Sequence, residues 1–123
     1  MTQKPIAVDG MSLDLSGPDV GFASVIPAAS VKTKVEGKGI YSGATPVLVT
    51  GCIKGTCAQT APVAGSINPS SLKAKEFGQA VVREGDDTGD FPVAGIDSST
   101  SAPCTILVNV SVDDAGQNKV TTE

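Results

Sequence analysis

The chain has 123 residues and a mass of 12.3 kDa, which is enough for one domain with a sizeable core and too little for a two-domain enzyme. Its hydrophobic content of 40% and its mean hydropathy of +0.11 exclude the composition of a disordered chain. The net charge of −4, with no run of Lys or Arg, excludes the electrostatic attraction on which non-specific binding of nucleic acid depends.

The sequence contains no histidine. This absence excludes imidazole-based catalytic triads, a histidine general base and His-rich zinc sites. Carboxylates, Lys and Cys remain as candidates for catalysis, but no second carboxylate cluster in an apolar run points to it, so we expect no enzymatic activity, no catalytic residues and no cofactor-binding residues. No apolar stretch approaches the roughly 18 residues of a membrane-spanning helix, and no apolar signal-peptide core follows the first residues. We expect a protein that is made in the cytoplasm without a signal peptide.

Apolar and polar residues alternate in short runs along the chain, and this period of two predicts strands. In chain order the runs cover residues 6–8, 11–15, 47–49 and 106–112. The 14 Gly and 8 Pro residues separate the runs and favour turns. The stretch from Pro69 to Phe77 is the one helix candidate, but Gly78 interrupts it, so we interpret it as a turn that enters a strand. The sequence predicts an all-β fold.

Two segments of the chain repeat each other at an offset of 41 residues, from position 31 to position 72. Residues 31–41 align without gaps with residues 72–82, and a weaker third copy at 8–13 aligns with 35–40. Each copy predicts a strand, a Gly turn and a returning strand. We therefore expect a pseudo-symmetric sandwich, prism or barrel, built from short hairpins with Gly/Pro-rich turns, in a single domain of residues 1–123.

Two further segments carry a resemblance to a known family. Residues 77–86 have the sequence Phe-Gly-Gln-Ala-Val-Val-Arg-Glu-Gly-Asp, and residues 42–51 have the sequence Ser-Gly-Ala-Thr-Pro-Val-Leu-Val-Thr-Gly. The first resembles the pattern Gly-Lys-Pro-Ala-Ala-Arg-x-Gly-Asp of PAAR and PAAR-like proteins, and the second resembles the Gly-Ser-Pro-Thr-Val-type strand that follows it. These proteins cap the central spike of contractile injection machines, such as myophage tails and type VI secretion systems. In organisation the resemblance spans residues 5–110.

The resemblance implies a small pseudo-three-fold β-prism or cone as the fold. It also implies a non-enzymatic structural tip protein that caps and sharpens the trimeric β-helical spike of a contractile tail for envelope piercing. The implied partner is a trimeric β-helical spike or hub protein, with one tip for every three spike chains and transient contact with the target envelope. The implied location is a virion tail baseplate or a contractile injection particle. The alternative is a small all-β adhesion, binding or decoration module on a virion or cell surface, with ligand contacts at residues 56–66 and 97–103.

The chain departs from the family pattern at two places. Zinc-bearing members close their tip with histidines and one cysteine, and this chain has no histidine. Residues 113–123 lie outside the pattern, so we expect a C-terminal extension there.

Three cysteines are the candidates for chemistry at the vertex. Cys52 and Cys57 enclose four residues, and Cys104 is distant in sequence. Three alternatives are open: a metal site completed by a carboxylate or water, a Cys52–Cys57 disulfide, or free thiols that pack as small hydrophobes. The metal ligands, if any, are not assigned.

Two charged segments complete the sequence. Residues 84–90 hold four carboxylates, but they lack the spacing of an EF-hand and predict a solvated turn. Lys32, Lys34, Lys73 and Lys75 form two Lys-x-Lys pairs at equivalent positions of the repeat. They predict either a solvent-facing stripe that prevents edge aggregation or a docking surface for an acidic partner.

Overall fold

The computed structural model of the chain describes residues 3–26, 33–35, 37–76, 78–117 and 119–122. These residues form strands and no helix, so the predicted all-β fold is confirmed. Within the described ranges there is accordingly no helix that could span a membrane. In chain order the strands are β1 (Lys4–Pro5), β2 (Ser12–Ser16), β3 (Val20–Val25), β4 (Lys34–Val35), β5 (Lys38–Gly39), β6 (Thr45–Lys54), β7 (Cys57–Gln59), β8 (Val63–Ile67), β9 (Lys75–Glu76), β10 (Gln79–Ala80), β11 (Phe91–Asp97), β12 (Pro103–Asp114) and β13 (Thr121–Thr122).

Seven strands form one antiparallel sheet that curls into a nearly closed barrel. The hydrogen-bonded order is β2-β12-β11-β7-β6-β3, and β8 pairs with the first half of β6. Three couples of consecutive strands follow one another around the barrel: β2 and β3, β6 and β7, β11 and β12. Each couple pairs with the next, because β3 pairs with β6, β7 with β11 and β12 with β2. The seam lies between β2 and β3, where a Cβ added to Gly21 would lie 2.8 Å from Cδ2 of Leu15.

The barrel interior is filled by one face of the long strands. In β12 the residues alternate between exposed and buried positions over most of its length. The buried aliphatic residues are Val47 and Val49 of β6, Val93 of β11, and Ile106, Val108, Val110 and Val112 of β12. Full burial of each such side chain stabilises the fold by about 1.5–3 kcal/mol. The strands predicted at 47–49 and 106–112 are therefore confirmed.

Two short hairpins lie outside the barrel sheet and have the same register. Lys34 is opposite Gly39 in the β4–β5 hairpin, and Lys75 is opposite Ala80 in the β9–β10 hairpin. Each hairpin loop contains a glycine with a φ of +78°, a conformation that glycine adopts without steric strain: Gly37 and Gly78. The described residues of the two segments that align at an offset of 41 therefore form hairpins of the same register.

A third ladder of the same kind joins the two ends of the described chain. β1 pairs with β13, with Lys4 opposite Thr122 and Pro5 opposite Thr121. The third counterpart of the hairpins therefore comes from both chain ends and not from residues 8–13, as the sequence alignment suggested. One backbone hydrogen bond is common to the three ladders: Ile6 N to Val120 O at 3.1 Å, Ile40 N to Thr33 O at 3.2 Å, and Val81 N to Ala74 O at 3.2 Å.

Each ladder continues into a three-residue segment, and the segments 6–8, 40–42 and 81–83 pair with one another. We call them the triplet ring. The last residue of each segment is bridged to the first residue of another: Val8 to Ile40, Ser42 to Val81, and Arg83 to Ile6. The central residues belong to the barrel core, whereas most of the outer ones form a second, smaller core with side chains of the ladders. The triplet ring therefore connects the barrel to the three ladders.

The segment 113–123, expected to be a C-terminal extension, packs on the body of the domain. Ala115 and Gln117 are buried. The Gln117 side-chain amide donates hydrogen bonds to the carbonyl oxygens of Ile6 and Val120, each at 2.8 Å, and its oxygen accepts one from Val120 N at 2.8 Å. This side chain therefore joins the residue that follows β1 to the residue that precedes β13.

Candidate functional site

Each barrel couple contains one turn, between β2 and β3, between β6 and β7, or between β11 and β12. These three turns lie together at the end of the barrel that is opposite the triplet ring. We call this end the apex. The backbone N–H of Gly55 donates to the Asp19 carboxylate at 2.9 Å, which ties the second turn to the first. Thr56 Oγ donates to the Asp97 carboxylate at 3.0 Å, and Ser98 N donates to the Thr56 carbonyl at 2.8 Å, which ties the second turn to the third. The apex is a set of cross-linked polar turns.

Asp97 organises the third turn. One of its carboxylate oxygens accepts hydrogen bonds from Ser99 N at 2.8 Å, Ser99 Oγ at 2.7 Å and Thr100 N at 3.3 Å. These bonds, with the side chain of Ser99 contributing most and that of Thr56 adding to it, lower the pKa of the Asp97 carboxyl. The alternative interpretation of the sequence places ligand contacts at residues 97–103, and in this turn the Asp97 carboxylate accepts hydrogen bonds from Ser99 and Thr100.

A disulfide between Cys57 and Cys104 lies next to the apex. It links β7 to β12 across the strand between them, β11. The two Cα atoms are 6.0 Å apart, whereas two strand spacings in a flat sheet amount to roughly 9.5 Å, so the sheet bends sharply here. Gly95 of β11 permits this approach, because an added Cβ would lie 2.5 Å from the carbonyl oxygen of Ala58.

The observed pairing decides between the three states expected for the cysteines. Cys57 is bonded to Cys104, so the expected Cys52–Cys57 disulfide is wrong. In the β6–β7 hairpin the residue opposite Cys57 is Lys54 and not Cys52. The N–H of Cys52 donates a hydrogen bond to the side-chain oxygen of Gln59 at 3.1 Å. Cys52 is a free thiol buried in the barrel core, and burial raises its pKa.

The cysteines do not fit the zinc site of the family's zinc-bearing members. Two of the three thiols are bonded to each other, and the third lies in the core. Across the described ranges, no group of three or more Cys, Asp or Glu side chains is placed to hold a metal ion. The apex of this structure is held by a disulfide and by hydrogen bonds.

An apolar row runs around the outside of the barrel next to the apex. Its members are opposite one another in register on five adjacent strands: Val20, Ile53, Ala58, Ile96 and Pro103. Val20 is 56% exposed, and Phe22, the next outward residue on β3, is 74% exposed. Exposed apolar patches with polar borders are typical of interaction surfaces. Sequence analysis did not identify this row, although the outward alternation of Val20 and Phe22 is a signal for it.

The basic residues are concentrated at the opposite end, on and near the ladders. Of the nine Lys and Arg residues, all but Lys54 stand in the triplet ring or within two residues of a ladder strand in sequence. The exposed ones are Lys34, Lys38, Lys73, Lys75 and Lys119. Lys32, which the sequence analysis singled out with three of these, lies outside the described residues. Lys4 lies in the third ladder and Lys119 stands near it in sequence. Because the sequence did not predict this ladder, sequence analysis did not group these two lysines with the others.

The acidic segment 84–90 was predicted to be a solvated turn, and for Asp86 that prediction is wrong. Asp86 is 5% exposed. Its carboxylate accepts hydrogen bonds from Ser70 N at 3.1 Å, from Ser70 Oγ and from Arg83 N at 2.8 Å. Arg83 in turn donates to the carbonyl oxygen of Thr122 at 3.2 Å. The group fixes the triplet ring to the third ladder, which is a structural role.

Comparison with known proteins adds no assignment to this geometry. No protein-family model matches the chain, no curated protein is similar to it, and no solved structure matches it.

Proposed function

We propose that this chain is a non-enzymatic, PAAR-like tip protein that caps and sharpens the trimeric β-helical spike of a contractile tail. The fold in this proposal is a small pseudo-three-fold β-prism or cone, with the ladder end as its base and the apex as its point. The partner is a spike or hub protein, with one tip for every three spike chains. The tip makes transient contact with the target envelope when the tail contracts, and it reaches its place in a baseplate or injection particle after synthesis in the cytoplasm.

The observation that carries the proposal is the cyclic pairing along the chain. Three ladders, three segments of the triplet ring and three barrel couples occur in the same order, and each ring segment and each couple pairs with the next one of its kind. A single chain arranged in this way presents three similar strand ends to a partner. A trimeric β-helix also ends in three equivalent strands, whose free N–H and C=O groups seek partners. Matching three ends with one chain gives the stoichiometry of one to three.

The apex supports the same proposal. A point that enters an envelope must resist deformation, and here each turn is bonded to a neighbour by backbone or side-chain hydrogen bonds. The disulfide adds a covalent link between the second and third couples. In this proposal the apolar row behind the polar apex is the part of the tip that meets the interior of the envelope.

The test is the number of copies in intact particles from the source. Cross-linked particles are digested with trypsin, and this chain is quantified with isotope-labelled peptides against the protein to which it cross-links. We expect one copy for every three copies of a β-helical protein. An equimolar ratio, many copies per particle, or no β-helical partner would refute the proposal.

A second candidate is the adhesion, binding or decoration module, and the exposed apolar row favours it. Such a module would bind its ligand through this row and would occur in many copies. Val20→Ser removes a side chain of this row that is 56% exposed and lies outside the core. If particles carry many copies of this chain and the variant abolishes their attachment, the adhesion, binding or decoration module is supported. If attachment is unchanged and the copy ratio is one to three, the tip protein is supported.

A further inference from the structure

The lysines of the ladder end occupy corresponding positions of the three ladders. Lys34 and Lys75 each begin the first strand of their hairpin, opposite Gly39 and Ala80. Lys73 stands two residues before β9, and Lys119 stands two residues before β13. The other strand of the ladder carries a lysine in two of the three ladders: Lys4 of β1 and Lys38 of β5.

Negative charge is sparse at the same end. Counted in the same way as the Lys and Arg residues, in the triplet ring or within two residues of a ladder strand in sequence, there are three acidic residues, Glu36, Glu76 and Glu123, against eight basic ones. The Glu76 carboxylate accepts a hydrogen bond from Ser42 Oγ at 3.1 Å. The whole chain nevertheless has a net charge of −4, because the other ten of its 13 acidic residues stand elsewhere in the sequence, with Asp9 and Glu84 next to the triplet ring. The ladder end is therefore a basic surface on an acidic protein, and its positive charge is repeated around it.

We infer that the ladder end docks onto an acidic protein surface with three-fold symmetry, whose carboxylates face the lysines of each ladder. This inference rests on the proposed function and names the chemistry of the partner's end. Lysines at the rim of an interface speed association and fix orientation, while the strand ends supply the central contact. A repeated lysine pattern matches a repeated carboxylate pattern, which a protein made of three identical chains provides and a lipid surface or a nucleic acid does not.

The probe is a trimeric coiled coil that carries one Glu-rich segment at each of its three chain ends. Two controls are the same segment as a monomer and a trimer with Gln in place of Glu. Binding to the full-length protein is measured by fluorescence anisotropy between 50 and 500 mM NaCl, roughly the range over which screening becomes strong. We expect the acidic trimer to bind more tightly than the monomer and the Gln trimer, and its affinity to fall as salt rises.

The variants locate the surface. Lys75→Gln, and Lys34→Gln with Lys75→Gln, should weaken binding about two- to fivefold for each lysine removed. Lys54→Gln is the matched control, because it removes the one lysine outside the ladder end and should leave the affinity unchanged. Unfolding midpoints of all variants, followed by circular dichroism, verify that each is folded.

Several results would overturn the inference: no binding of the acidic trimer at low salt, equal binding of monomer and trimer, or equal weakening by Lys54→Gln. Tighter binding to vesicles of phosphatidylglycerol or to duplex DNA would also overturn it. The proposed function is tested by a different measurement, the copy number in particles. A one-to-three ratio in particles together with lysine variants that bind normally refutes only this inference, whereas lysine-dependent binding without that ratio refutes only the tip.

Discussion

Removal of the Cys57–Cys104 disulfide tests how the apex is held. The two cysteines are separated by 47 residues. The loss of chain entropy on closing a loop of that length corresponds to about 4 kcal/mol at 25 °C. The variant Cys57→Ala with Cys104→Ala should therefore lose about 4 kcal/mol of free energy of unfolding. This is a large part of the roughly 5–15 kcal/mol that stabilises a domain of ordinary stability.

The assay is urea unfolding followed by far-UV circular dichroism, because the chain has no Trp. Cys52→Ala is the matched control, since it keeps the disulfide and removes one buried sulfur, with a loss of about 1 kcal/mol. Reductant should destabilise the wild-type protein and the Cys52→Ala variant, but it should not affect the double variant.

Peptide mapping without reduction checks the pairing itself. Trypsin cleaves after Lys54, which separates Cys52 in peptide 39–54 from Cys57 in peptide 55–73. We expect peptide 55–73 to be linked to the peptide that contains Cys104. A link between 39–54 and 55–73, or a loss below about 1 kcal/mol in the double variant, would refute the reasoning.

Three more changes test other parts of the fold. Deletion of residues 119–123 removes β13 and should abolish soluble expression or lower the free energy of unfolding by at least about 3 kcal/mol, since several backbone hydrogen bonds and buried contacts are lost; normal stability would show that the segment is peripheral. Gly95→Ala should destabilise by about 1–3 kcal/mol in urea unfolding, because the new Cβ meets the Ala58 carbonyl, and an unchanged midpoint would contradict the close approach. Asp97→Ala should be less stable than wild type at neutral pH. Since the pKa of Asp97 is lowered in the folded state, its contribution is complete above the ordinary value of 3.8 and is lost as the pH falls through the lower folded value; a difference that persists at lower pH, or that the exposed Asp113→Ala variant shares, would exclude this cause.

The sequence contains the information for the long strands and for two of the three ladders. Alternating apolar residues indicate β12 and the first half of β6, because a half-buried strand needs that period. The Gly turns at Gly37 and Gly78 mark the two hairpins. The third ladder has no such signal, since its strands contain two residues each and come from opposite ends of the chain. Short strands of this kind become stable only when the tertiary structure brings them together.

The candidate surfaces were predictable to different degrees. Three cysteines allow three pairings, and closeness in sequence favours Cys52 with Cys57. The hairpin register places Lys54 opposite Cys57, and the pairing of β7 and β12 with the same strand, β11, brings Cys57 near Cys104. The burial of Asp86 depends on Ser70, 16 residues earlier, and a charge-rich segment gives no sign of such a partner. The Lys-x-Lys pairs did indicate the basic end, because they recur at the period of the repeat.

Because β1 pairs with β13, the chain could be rearranged so that either of the other two ladders contains its two ends. Lys4 faces Thr122 as Lys38 faces Val35, and a loop of two residues suffices for the second pair. A similar loop between Thr122 and Lys4 would give a circular form of residues 4–122, which could then be opened at the turn of another hairpin, such as the one at Gly78. Such a circular permutant would retain every ladder and every barrel couple. Its chain ends would lie at a different ladder, so the choice of the opened hairpin decides at which ladder a fused domain is attached.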